Sequence, residues 1–427
     1  MTGAARPAYA GPAPGVIGFA TLRSVRITVT EVDGAPAVIA PGPGPLRAGL
    51  VFRVGAVDED LTRRGITHMV QHLAEPPGTS GGLIRLGDTR FSAEGTPEEV
   101  VAYLHEVCAR LSDLPWDRRE TVLLEMHAEV GALGDAFETR LLRWRYGPRD
   151  YGLNAFPEWG TEGLTRKQVR AWAARHFTAG NVALWVEGDG VPAGLRLRLP
   201  PGERVPLPPR VPAVPGTAGW FSGRDDELAW STVLPDSPAV RLFDHALWTI
   251  LERRMRARGL HEGYEVYSQE VPGGYREVFV VVEPRLRVAR DCLLQTLMAV
   301  RDGAVKERDF TPRTLPELPG GPDQLAYEAL KLLTGTPLRT HDEEVAALEP
   351  VTLPEVVAVA REAWRQGVLI TPETGRAAAV AAGFTPVPPS VAADPRVPVR
   401  SRQSVPAFLG IVSILLVVAL VISLIMG

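Results

Sequence analysis

The stretch from Pro200 to Gly216, PPGERVPLPPRVPAVPG, constrains this chain more than any other, because proline at such density supports neither a helix nor a central strand. Read as an interdomain linker, it divides the sequence into two segments, residues 25–199 and 217–385, each long enough to bury its own core. With 45% hydrophobic and 22% charged residues in a chain of 427, both have the makings of ordinary globular domains. Residues 386–406 are again rich in proline and read as a semi-rigid stalk.

Beyond the stalk, Ala407 to Met426 (AFLGIVSILLVVALVISLIM) carries no charge and is long enough to cross a bilayer as a helix. Arg396, Arg400 and Arg402 precede it, so the positive-inside rule predicts a single-pass, tail-anchored protein of the cell membrane with its large part cytoplasmic. The lipid bilayer is therefore one expected partner. Residues 1–24 read as a flexible terminus without the charged start and apolar run of an export signal. The two cysteines, Cys108 and Cys292, each fall in an apolar helical pattern and read as buried thiols in a reducing compartment. A net charge of -4 from 46 basic and 50 acidic residues leaves no positive excess for a nucleic-acid backbone.

Within the first segment, Val25–Val32, Leu46–Val54, Thr89–Ala93 and Val182–Glu187 pattern as strands. Gly65–Ala74, Pro97–Leu111, Asp117–Leu142 and Thr165–Phe177 pattern as helices. The second segment repeats this grammar, from a strand at Leu228–Val233 and a long helix at Pro238–Arg258 to a last strand at Val368–Thr371. Strands and helices mix without regular βαβ alternation, which predicts two α+β layer domains of similar architecture.

Chemistry concentrates in Gly65-Ile66-Thr67-His68-Met69-Val70-Gln71-His72-Leu73-Ala74-Glu75, where two histidines four apart share one helix face and can reach one metal ion. Such a pair by itself is more often a set of ordinary surface histidines. A third ligand is required, and the helical stretch Trp116–Val130 (WDRRETVLLEMHAEV) supplies Glu120, Glu125 and Glu129.

Glycine, then His-x-x-Glu-His, then a distant glutamate in a helix of the type VLLEM is the signature of the pitrilysin/insulinase family of zinc peptidases, the inverzincins, which this chain resembles in content and order. The likeness runs from about Val25 to Thr371 and includes FRVGAVDEDLTRRGITHMVQHLAE, YGPRDYGLNAFPEWGTEGLTRKQVRAWAARHFTAGNVALWVEGD and, later, ERRMRARGLHEGYEVYS. It implies two pitrilysin-like domains enclosing a chamber, Zn²⁺ held by His68, His72 and Glu125, and Glu129 as the alternative third ligand. It further implies extended peptides as substrates or ligands, laid along an edge strand at Thr89, Arg90, Phe91 and Ser92 and held by Tyr264. Members built from one such pair of domains commonly dimerise, so a homologous subunit is an implied partner.

One position departs from the family. Its catalytic glutamate falls at Gln71, and an amide can neither take the proton of a zinc-bound water nor hand it to the leaving amine. Loss of that proton transfer is worth roughly 10²–10⁴ in rate. The resemblance thus predicts metal binding with collapsed hydrolysis: a peptide-binding or noncatalytic subunit. Two rivals are an active peptidase in which Glu75 substitutes as base, reaching back past His72, and a metal-free membrane scaffold.

Overall fold

In a computed structural model, residues 27–132, 137–212, 217–225, 227–283, 287–311 and 321–387 are described. The N-terminus to residue 24, most of the stalk and the apolar span 407–426 lie outside them. Among the described residues no helix is long and apolar enough to cross a membrane.

The first half forms, in chain order, β1 (Thr28–Val32), β2 (Ala35–Ala40), β3 (Leu46–Phe52), α1 (Ile66–Ala74), β4 (Gly82–Ile84), β5 (Thr89–Gly95), α2 (Pro97–Ser112), α3 (Arg119–Ala132), α4 (Phe137–Tyr146), α5 (Arg166–His176) and β6 (Val182–Glu187). Its six-stranded sheet has the order β1-β2-β6-β3-β5-β4. The second half forms β7 (Gly219–Gly223), β8 (Ala229–Pro235), α6 (Pro238–Arg256), β9 (Tyr264–Val271), β10 (Tyr275–Val282), α7 (Arg287–Arg301), α8 (Pro322–Thr334), α9 (His341–Ala346), α10 (Leu353–Arg365), β11 (Val368–Pro372), α11 (Arg376–Ala382) and β12 (Thr385–Pro386). Its six-stranded sheet runs β12-β7-β11-β8-β10-β9. The run β7-β11-β8-β10-β9 reproduces β2-β6-β3-β5-β4, including the parallel pairing of its first two strands. The expected α+β architecture is therefore present, and the two halves share one topology.

Strand alternation decides which helix covers which face. In β3, Ala48, Leu50 and Phe52 point to one side, where they pack with Ile66, Met69, Val70 and Leu73 of α1 and with α2 and α5. Val51 points to the other side, and with Val38, Ala183 and Trp185 it packs against Leu325, Ala326, Ala329, Leu330 and Leu333 of α8, a helix of the second half. The exchange is reciprocal. Leu141 of α4, a first-half helix, is buried against Phe221, Phe279, Val368 and Ile370 of the second sheet, and Trp144 stacks on Phe221 with ring centroids 5.5 Å apart. Cys108 and Cys292 are buried in the two main cores as free thiols.

Of the helix expected over Asp117–Leu142, Arg119–Ala132 (α3) and Phe137–Tyr146 (α4) are helical among the described residues, and Leu141 of α4 packs on the other sheet. Thr89–Ala93 is not an edge, because β5 pairs with β3 on one side and β4 on the other. Among the described residues, α8 packs on one face of the first sheet and Leu141 of α4 on the second sheet.

Candidate metal centre

Helix α1 begins at Gly65, whose φ of 96° lies in the left-handed region that favours glycine. The first N–H groups of a helix lack intrahelical partners, and here the carboxylate of Glu59 accepts from Gly65 N at 3.0 Å and Thr67 N at 2.9 Å. Arg64 Nη1 donates to the same carboxylate at 2.7 Å. With its start fixed, the helix buries Ile66, Met69, Val70 and Leu73 and turns His68 and His72 toward α3.

The three atoms that would hold a metal form a compact triangle. His68 Nε2 and His72 Nε2 are 3.0 Å apart, and Glu129 Oε2 lies 3.1 Å from the first and 3.5 Å from the second. A tetrahedral zinc ion with bonds near 2.0–2.1 Å separates its ligands by roughly 3.3 Å, close to all three edges. Two imidazoles and one carboxylate are also the donor types zinc takes in sites that keep a fourth position open. The residues present thus fit the metal that the sequence resemblance implies.

Each histidine is oriented from behind. Glu158 Oε2 lies 2.8 Å from His68 Nδ1, and Glu125 Oε2 lies 3.3 Å from His72 Nδ1. A carboxylate at Nδ1 holds the proton there and leaves Nε2 free as a ligand. Arg64 Nη1, 3.4 Å from Glu158 Oε1, steadies that carboxylate in turn. Glu125, the expected third ligand, therefore stands at the outer nitrogen of His72, and the alternative, Glu129, faces both Nε2 atoms. Glu158 was not among the expected site residues. It lies in the FPEWGTE segment within the family-like stretch, where only the fold reveals its contact with His68.

Electrostatics follow this arrangement. Burial opposes a charge on His68, but its bonds to Glu129 and Glu158 prevail and raise its pKa to about 9. The same bonds from His68 and His72 hold Glu129 well below the usual carboxylate range. Burial would raise Glu158, yet the bond and charge of His68 with the charge of Arg64 keep it low.

Gln71 is 4% exposed, and its Nε2 donates to Glu75 Oε2 at 2.6 Å. Glu75 also accepts from Gly82 N at 3.0 Å and Thr79 Oγ1 at 3.4 Å. Its carboxylate is thus fastened toward β4, which weighs against its acting as a substitute base. The expected peptide-binding residues are placed differently from the reading above. Thr89 and Phe91 are fully buried, the first donating to Val54 O at 2.8 Å, the second meeting Phe52 edge-on. Arg90 bonds Asp88 at 2.6 Å and Asp323 of α8 at 3.1 Å. Ser92 pairs with Gly81, and Tyr264 lies on β9 in the other half, against the second core.

No protein-family profile matches the sequence, and no curated protein matches it either. Solved structures do resemble it. A peptidase M16 inactive domain from Pseudomonas fluorescens superposes with a TM-score of 0.61 at 14% identity, over 82% of this chain and 98% of that one. A protease from Helicobacter pylori gives 0.57 at 14% identity, over 82% and 100%. A chain of Complex III2 from Candida albicans gives 0.63 at 13% identity, over 81% and 95%. Motifs and architecture agree: the chain has the fold of the M16-like peptidases, the pitrilysin/insulinase family.

Proposed function

We propose that this protein is a membrane-anchored, zinc-binding member of that fold whose own hydrolysis has collapsed, and that it works by holding extended peptide as a noncatalytic subunit beside a homologous chain. The observation that carries this reading is Gln71, an amide at the family's general-base position whose N–H is already committed to Glu75 at 2.6 Å. Zinc bound at the histidines would supply an acidified water. The chain's own residues can hold that metal through His68, His72 and Glu129, but Gln71 offers no group that takes up a proton. An inactive M16 domain and a complex III chain among the similar structures support the subunit role. The charge-free span 407–426, with arginines before it, supports a tail anchor and a cytoplasmic body.

The test is zinc content and peptide hydrolysis of the full chain purified in detergent, with and without chelator. About one zinc per chain and no hydrolysis is the expected result. Chelator-sensitive hydrolysis by the unmodified chain would overturn the reading in favour of a working peptidase, and absence of zinc would favour a metal-free scaffold.

A further inference from the structure

Strand β4 is the outer strand of the first sheet, yet it has 3 residues where β9, in the corresponding place of the second sheet, has 8. Its register puts Gly82 opposite Phe91, and one step earlier Gly81 O accepts from Ser92 N at 2.9 Å. Antiparallel strands alternate the direction of their N–H groups. The N–H of Gly82 therefore points away from β5, to the open side where a further strand would pair.

That N–H is taken: it donates to Glu75 Oε1 at 3.0 Å, while Glu75 Oε2 accepts from Gln71 Nε2 at 2.6 Å. Glu75 and Gln71 are 7% and 4% exposed. A Cβ on Gly82 would lie 1.9 Å from Gln71 Nε2 and 2.5 Å from Glu75 Oε2, so the strand reaches this pair only because position 82 is glycine. Next to it, Leu83 leaves 44% of its surface exposed at the edge.

We propose that Gln71 and Glu75 form a latch on the β4 edge, which admits an extended peptide only when the Glu75 carboxylate leaves the Gly82 N–H. A peptide adding to this edge delivers a main-chain carbonyl to that N–H, and the carboxylate oxygen stands where the carbonyl would go. A charged acceptor holds an N–H more strongly than a neutral one, so the closed state competes with the peptide. Gln71 is then more than a disabled base. Its amide donates the bond that keeps Glu75 in place, a task an ionised carboxylate, which only accepts, could not perform. The inference rests on the reading of this fold as a peptide binder that does not hydrolyse.

The test uses the zinc-loaded full chain in detergent and a pool of fluorescein-labelled random decapeptides, followed by fluorescence anisotropy. Glu75→Ala is expected to tighten binding about tenfold, because the competent state no longer has to be opened. Gln71→Leu, which removes the donor, shifts affinity the same way. Hydrogen exchange at Gly82 is slow in the native chain, fast in Glu75→Ala and slow again once the pool is added. Should Glu75→Ala fail to fold, Glu75→Gln retains a neutral acceptor and must still bind more tightly than the native chain. Equal or weaker binding in the variants overturns the latch, as does absence of binding by every protein tested. Cleavage of the pool by the native chain, read by mass spectrometry, overturns only the non-hydrolysing assignment.

Discussion

The Nε2 atoms of His68 and His72 face each other at 3.0 Å with Glu129 Oε2 within 3.5 Å of both, so without metal a proton must occupy the place of the cation. With its pKa raised to about 9 by Glu129 and Glu158, against the cost of burial, His68 holds that proton at neutral pH. Zinc needs the neutral ring. Zinc binding at pH 7 should release about one proton from this site, and affinity should rise about tenfold per pH unit toward pH 9. Calorimetry in buffers of different ionisation enthalpy measures the release. The metal-free protein carries the linked signature: a raised pKa stabilises fully below the unfolded value of 6.5 and is lost as pH climbs through about 9. No proton release at pH 7 would contradict this arrangement.

Restoring the family glutamate at position 71 brings a second carboxylate against Glu75, where the Gln71 amide now donates at 2.6 Å. Two carboxylates so placed share a proton and neither is a free base near neutrality. Gln71→Glu alone should therefore gain little hydrolysis. The exchange Gln71→Glu with Glu75→Gln keeps one donor and one acceptor, and it should hydrolyse a fluorogenic peptide at least about tenfold faster than the single variant, well within the rate range of general-base catalysis. Equal rates for the two variants would count against the pairing.

How far the sequence reaches can be judged from these same residues. The histidines at i and i+4 and the acidic helix were readable because helix periodicity is local. The choice between Glu125 and Glu129 was not, since one turn of α3 decides which carboxylate meets Nε2 and which meets Nδ1. Glu158 reaches His68 from 90 positions away, a separation at which spacing carries no geometry. β2 went unread although Asp33 and Gly34, with φ of 49° and 84°, carry the Asp-Gly signal of a tight hairpin. The lending of α4 and α8 across the halves leaves no local mark at all, because a helix shows an apolar face without showing whose sheet it covers.

That exchange is anchored by Arg145 of α4. Its guanidinium, 5% exposed, donates to Ser231 O at 2.8 Å, Ser231 Oγ at 2.9 Å and Gln366 O at 2.7 Å in the second half. Ser231 Oγ passes the link to buried Glu277 at 3.1 Å. Removing one partner of a buried charged network costs about 3–5 kcal/mol, because the other is left uncompensated. Arg145→Ala should lose that much in denaturant unfolding, and adding Glu277→Gln should recover part of it. A loss below about 1 kcal/mol, the range of exposed pairs, would show that the network is dispensable.

His176 gives the opposite pH signature to His68. It closes α5 with 2% exposure, its ring centroid 4.2 Å from that of Trp172, and neither ring nitrogen has a hydrogen-bond partner. Burial, with Arg175, Arg53 and Arg63 nearby, lowers its pKa to about 4. The ring is thus neutral in the folded chain and takes up a proton on unfolding below pH 6.5. A depressed pKa contributes stability that is present above pH 6.5 and lost as pH falls through about 4, worth up to about 3 kcal/mol across that interval. His176→Phe keeps the apolar contact with Trp172 and removes the titration. Its unfolding free energy should therefore fall less steeply between pH 6.5 and 4 than that of the native chain. Parallel curves for the two proteins would mean that His176 is solvated or charged in the fold.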